Sequence, residues 1–213
     1  MPEEVEFLSA EIASGNKYHD QIFKDVNLNE EELTSCGFLG CSFLRCSFEK
    51  TIFDKCRFID CDFKECDLSL AQFPDSVFSG GKFEDSKIIG IDWTHVIWSE
   101  LGLHTPISIL NCAISHSTFI GLDLTEFKIR NCIAANVDFR EANLNLVDFT
   151  GTDLSDSLFS NTNLAEADFR GAYNYQIDPT RNKIKGAKFS MPEAMALLYS
   201  MEIDLSESTG DIN

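Results

Sequence analysis

The stretch CGFLGCSFLRCSFEKTIFDKCRFIDCDFKECDL, residues 36–68, decides the fold. Every fifth residue in it is large and apolar: Phe38, Phe43, Phe48, Phe53, Phe58, Phe63 and Leu68. A helix repeats about every 3.6 residues and a strand about every 2, so neither produces a period of five. The series extends outward without a gap. It begins at Phe23, Leu28 and Leu33, and continues through Phe73, Phe78, Phe83, Ile88, Trp93 and Trp98 to Leu103.

The series then resumes one residue out of step. From Ile109 it reads Ile114, Phe119, Leu124, Ile129, Ala134, Phe139, Leu144, Phe149, Leu154, Phe159, Leu164 and Phe169. The slip lies near residues 104–107 and reads as a one-residue insertion at a corner. A second series sits two residues before each centre and is mostly small. It includes Cys36, Cys41, Cys46, Thr51, Cys56, Cys61, Cys66, Ala71, Ser76, Cys112, Ser117 and Cys132. Asp or Asn often precedes the centre, as at Asp138, Asn143, Asp148, Asp153 and Asp168.

Over residues 21–172 this pattern resembles the pentapeptide-repeat family, whose signature is A(D/N)Lxx. Ala142-Asn143-Leu144, Thr152-Asp153-Leu154 and Ala167-Asp168-Phe169 carry the resemblance most closely. It implies an all-β fold, a right-handed quadrilateral β-helix with one pentapeptide per side and four per coil. Residues twenty apart should then stack. The sequence supports this independently in the columns Leu124, Leu144, Leu164 and Phe119, Phe139, Phe159, and in Phe23, Phe43, Phe63, Phe83, expected to end at Leu103. Thirty centres would make about 7.5 coils, a rod roughly 36 Å long at about 4.8 Å per coil.

All eight cysteines occupy the small inward position. The same position carries Thr51, Ala71 and Ser76 elsewhere, so space-filling is the expected role. The C-x4-C-x4-C spacing is compatible with zinc-type ligation, but Thr51, Ala71 and Ser76 at the equivalent positions do not bind metal in the same way. Stacked β-carbons about 4.8 Å apart exceed the usual disulfide range of roughly 3.5–4.5 Å. Free, buried thiols are expected, with no metal and no cofactor.

The formal charge is -18 and the pI about 4.4. Such a field repels phosphates, which argues against direct nucleic-acid binding, and attracts a basic protein surface. The start, Met1-Pro2-Glu3-Glu4, is acidic with no apolar segment behind it. No apolar run approaches the roughly 20 residues a membrane span needs. A cytoplasmic protein is expected. The histidines His19, His95, His104 and His116 fall in no triad or metal motif, and the carboxylates recur along a rod without a cleft. A binding protein rather than an enzyme is therefore expected.

The ends depart from the repeat. Residues 1–20 are expected to cap the first coil through Phe7, Leu8 and Ile12, with the β-helix over 21–189. Ser190-Met191-Pro192-Glu193 reads as a helix start, Ser190 being the N-cap, with the helix running to about Met201. Alternation in Glu202-Ile203-Asp204-Leu205 suggests a short strand. Residues 190–205 form a candidate pairing element through Met195, Leu198, Met201, Ile203 and Leu205, and 206–213 a polar, disordered tail.

The length, the repeat coverage and the C-terminal helix resemble the Qnr quinolone-resistance branch of the family, as does the run from Ile177-Asp178-Pro179 to Lys188-Phe189. That resemblance implies a homodimeric rod joined at its C-terminal end that imitates duplex DNA. Its implied partners are DNA gyrase and topoisomerase IV. Residues 131–178 hold eight carboxylates against Arg140 and Arg170. Asp138, Glu141, Asp148, Asp153, Asp156, Glu166 and Asp168 are thus the candidate partner-binding surface. Many Gram-negative Qnr proteins carry projecting loops, and a one-residue slip would supply none, so loop-poor relatives are the better comparison. The alternative is a pentapeptide-repeat adaptor for a different protein.

Overall fold

The structure, a computed structural model, describes residues 12–98, 105–203 and 205. It is a right-handed, four-sided parallel β-helix of about eight turns with one short helix near the C-terminus. Each pentapeptide forms one side. Its centre and the residue two before it point inward, and its last residue turns the corner. That corner residue takes a left-handed conformation, as at Asp25 (φ 54), Arg45 (φ 52) and Glu65 (φ 54). Non-glycine residues accept this φ with some strain, which the ladder bonds on both sides of the corner offset.

Four faces follow, each named here by its central residues. The first carries Tyr18, Phe38, Phe58 and Phe78 in parallel register. The second carries Phe23, Phe43, Phe63 and Phe83. The third passes through Phe48, Leu68 and Ile88, and the fourth through Leu33, Phe53, Phe73 and Trp93. Like rings stack on one another down the first, second and fourth columns. Phe43 and Phe63 lie 4.7 Å apart and Phe58 and Phe78 4.6 Å, with interplanar angles of 10° and 18°. Rings on adjoining faces meet edge to face or tilted, as Phe53 does Phe58 at 84° and Phe58 does Phe63 at 55°. The stacked and edge-to-face geometries both suit the aromatic quadrupole.

The break differs from the expected one-residue slip. Ile97 still pairs with Val77, twenty residues earlier. Beyond the break Ser108, Ile109 and Leu110 pair with Lys82, Phe83 and Glu84, and the Ser79 and Thr105 hydroxyls meet at 2.8 Å across a separation of 26. A coil and six residues, not a coil and one, therefore separate the two registers. A five-residue period cannot distinguish one extra residue from six. Leu103, expected above Phe83, and His104 lie outside the described residues, and Ile109 occupies that place. Gly81, the small inward residue that follows the Gly80 corner, has φ 96, and a Cβ there would overlap the carbonyl oxygen of Cys61. Only glycine fits there.

All eight cysteines are free and buried. Each small-site donor has a fixed acceptor. Cys41 Sγ donates to the Tyr18 carbonyl at 3.5 Å and Cys61 Sγ to the Phe38 carbonyl at 3.5 Å. Thr51 Oγ1 and Thr152 Oγ1 make the same contact to Leu28 and Ile129, at 2.7 and 2.6 Å. Thiol and hydroxyl are interchangeable because both fill a small space and offer one donor. Burial pushes the Cys56, Cys61 and Cys132 thiols up to about 12.

Phe7 and Leu8 of the expected N-terminal cap lie outside the described residues, while Ile12 is buried against the first coil. The C-terminal helix is shorter than expected, Met195–Tyr199. Ser190 does not cap it. Its Oγ accepts from the Gly171 N–H at 2.9 Å, which holds Ser190 on the last coil. The helix ends in a Schellman arrangement: Ile203 N–H to Leu198 carbonyl, Glu202 N–H to Tyr199 carbonyl, with Glu202 left-handed (φ 58). That closure takes Glu202 and Ile203 out of the strand the alternation suggested. Asp204 and residues 206–213 lie outside the described residues. No helix among the described residues is long and apolar enough to cross a membrane.

Candidate partner-binding surface

The outward positions of the rod carry its charge, and stacking sorts them. The second face holds Lys24, Lys64, Lys82, Lys128, Arg130, Arg170 and Lys188 beside its central residues. The fourth face holds Glu32, Asp54, Asp92 and Asp138, against Arg140 alone among the bases flanking its centres through Phe159. The acidic excess is thus greatest on the fourth face. Sequence reading missed this division, although its signal exists: the bases recur at multiples of twenty residues once the six-residue offset is applied.

The seven predicted acidic residues do not converge on one side. Asp138 lies on the fourth face with Glu141 at its corner, and Asp153 on the third with Asp156 at its corner. Asp148 and Asp168 lie on the basic second face, and Glu166 lies at the corner following the first. They also divide by chemistry. Asp138 is bound by Arg140 and Asp168 by Arg170, both at 2.6 Å, and Asp148 by Arg130 at 2.9 Å. The arginines hold the Asp138 and Asp168 carboxyls below their ordinary value. Burial would raise Asp153, but bonds from Ser155 and Asn174 outweigh it and lower it.

A recurring turn explains these aspartates. The carboxylate before each centre accepts the backbone N–H two residues on, and often a hydroxyl there too. Asp92 does so with Thr94, Asp123 with Thr125, Asp148 with Thr150, Asp153 with Ser155 and Asp178 with Thr180. Such Asx turns fix the strand's exit toward the corner. Glu141, Asp156 and Glu166 stand instead at exposed corners with φ of 63°, 54° and 58°. They are the members of the set presented outward without such a turn.

The predicted pairing residues lie together at the C-terminal end. Leu198 is 39%, Met201 42% and Ile203 40% exposed, with Met195 and Leu205 half-buried. Tyr199, at 57%, extends the same apolar surface. His95 lies 3.5 Å from Asp92, and His19 and His116 are exposed on separate coils. Among the described residues no group of three or more His, Cys, Asp or Glu is placed to hold a metal.

Comparison with known proteins accords with this architecture. No curated protein matches the chain in sequence. Two structures of QnrB1, a plasmid-mediated fluoroquinolone resistance protein, are similar in fold. One, of a trypsin-treated variant, gives a TM-score of 0.67 at 18% identity, covering 92% of this chain and 99% of that one. The full-length form gives 0.65 at 18%, covering 88% and 100%. HetL, a pentapeptide repeat protein involved in heterocyst differentiation regulation from the cyanobacterium Nostoc, gives 0.67 at 12%, covering 82% and 85%. Residues 31–104 match the family described as pentapeptide repeat region, and residues 123–161 and 142–173 that described as pentapeptide repeats. Together with a lining that repeats every five residues around a four-sided coil, these matches establish that the chain belongs to the pentapeptide-repeat family.

Proposed function

We propose that this protein is a Qnr-like binding rod that engages DNA gyrase, with topoisomerase IV as a second target, and protects it from quinolones. The carrying observation is correspondence with QnrB1 over nearly the whole of both chains, on a rod of charge -18. On this reading the protein is cytoplasmic and pairs through Met195, Leu198, Met201, Ile203 and Leu205. The fourth face and the corner carboxylates Glu141, Asp156 and Glu166 meet a basic surface that otherwise holds DNA. The turn aspartates Asp148, Asp153 and Asp168 shape the rod and lend it field. The six-residue offset removes the objection that this chain's repeats are interrupted by one residue only. A supercoiling assay with gyrase, with and without ciprofloxacin, tests the reading. Relief of inhibition, or inhibition at higher dose, is expected; no effect together with no binding sinks it.

The fold likeness to HetL equals that to QnrB1, and this favours a second reading, an adaptor for a different protein. Affinity capture that enriches a partner other than a topoisomerase would select it.

A further inference from the structure

Sulfur occupies two opposite environments in this chain. The eight thiols line the rod, none more than 3% exposed, each filling a small inward site. Three of the four methionines lie together at the C-terminal end: Met191, Met195 and Met201. Met191 is 72% exposed, and Met195 lies half-buried on the helix that precedes Met201. Thioether oxidation needs only access, whereas thiol oxidation needs a reachable thiolate, which burial denies here. Oxidant arriving from solvent therefore meets methionine first, and meets it on the most apolar exposed surface of the rod's end.

We propose that Met191, Met195 and Met201 form an oxidant-sensitive modification site, and that sulfoxide formation there disperses the self-association of this end. The second half rests on reading that end as the pairing surface. With a peroxide as the oxidant, the thioether sulfur attacks one peroxide oxygen. An S–O bond forms as the O–O bond breaks; sulfur loses two electrons and the peroxide gains them. The proton on the transferred oxygen passes to the departing hydroxide, which leaves as water. The product side chain is polar, and burying it unpaired against Leu198 and Ile203 is unfavourable. Met195 and Met201 are open to oxidant in the free protomer and covered in the pair, so oxidation draws the equilibrium toward the free protomer.

The test treats the full chain with hydrogen peroxide, then reads peptide masses and light scattering. Sulfoxide should appear at Met191 and Met201 an order of magnitude faster than any change at the cysteines. At Met195 and Met201 it should slow as protein concentration rises. The scattering mass should halve, and recover when sulfoxide reductases of both stereochemical classes restore the thioethers. Cysteine oxidation preceding methionine oxidation overturns the site. An oxidised chain of unchanged double mass, or a mass that stays halved after the thioethers are restored, overturns the coupling. A chain that is monomeric before oxidant sinks the pairing reading and the coupling with it, and the peptide masses then decide the modification site alone.

Discussion

Ile109 pairs with Phe83 in parallel register, and the chain between them is six residues longer than the twenty that separate Phe83 from Phe63. The two ends of the excess are close: Trp98 rests on Phe78, with ring centroids 6.1 Å apart, and Thr105 bonds Ser79. Deleting residues 99–104 therefore joins two points that already adjoin, and a shorter connection costs no ladder bond. Thermal and denaturant unfolding should show stability equal to the parent within about 1 kcal/mol. Loss of folding in this variant would contradict the offset of six. Its supercoiling assay reads separately whether those residues serve the partner.

The aromatic columns should be costly to interrupt. Phe58 stacks between Phe38 and Phe78 at 5.0 and 4.6 Å and meets Phe53 edge to face at 5.3 Å. Phe58→Ala should destabilise by about 3–5 kcal/mol, whereas Phe58→Leu should cost less, roughly 1–2 kcal/mol. Leucine already fills the corresponding site at Leu144 and Leu164. Urea unfolding followed by circular dichroism measures both.

The cysteine lining predicts an alkaline limit. Folded Cys56, Cys61 and Cys132 ionise near 12, against an ordinary value of 9.0. Above pH 9 the unfolded chain loses protons that the folded chain keeps, so stability falls as pH rises from about 9 to about 12 and is unaffected by these groups below that window. Cys61→Ser should be mild, since Ser76 donates to the Phe53 carbonyl in the equivalent place. Cys61→Ala should cost about 1 kcal/mol more, through the unpaired carbonyl of Phe38. Unfolding free energies from pH 7 to 11 decide it.

Turn and corner carboxylates should separate experimentally. Asp153→Ala removes the acceptor for Ser155 and Asn174 and should destabilise by about 1 kcal/mol. Glu141→Gln, Asp156→Asn and Glu166→Gln together should leave unfolding unchanged and weaken partner binding, most at low salt. Asp138 and Asp168, held low by Arg140 and Arg170, contribute stability above about pH 3.8 that is lost as pH falls through their lowered values. Binding titrations at two salt concentrations check the first contrast, and acid unfolding the second.

Leu198→Glu or Ile203→Lys should produce monomers in light scattering while the far-ultraviolet spectrum stays that of the parent. Both side chains lie on the exposed C-terminal surface, outside the coil's lining. An unchanged mass would count against pairing there.

The lining of the rod was open to reading because a period of five admits one backbone, and because Phe43 above Phe23 is visible as identity at twenty residues. Three things were hidden for physical reasons. The break was misjudged because six and one are the same remainder after division by five. The turn role of Asp148 and Asp153 depends on hydroxyls two residues on, a pairing that charge counting ignores. The helix start was misplaced because Ser190 is drawn to Gly171 on the neighbouring coil, a contact no local cap signal can show.

The exchange of donors along the small inward sites makes the rod a gauge. A block of twenty residues brings its own four corners and its own lining. It could be duplicated between Phe43 and Phe63 without altering what lies above or below. Each such block would shift the C-terminal end by about 4.8 Å, and would shift the outer tips of a paired rod by twice that. A partner gripping the rod at two separated points would then select its coil number as strictly as its charge.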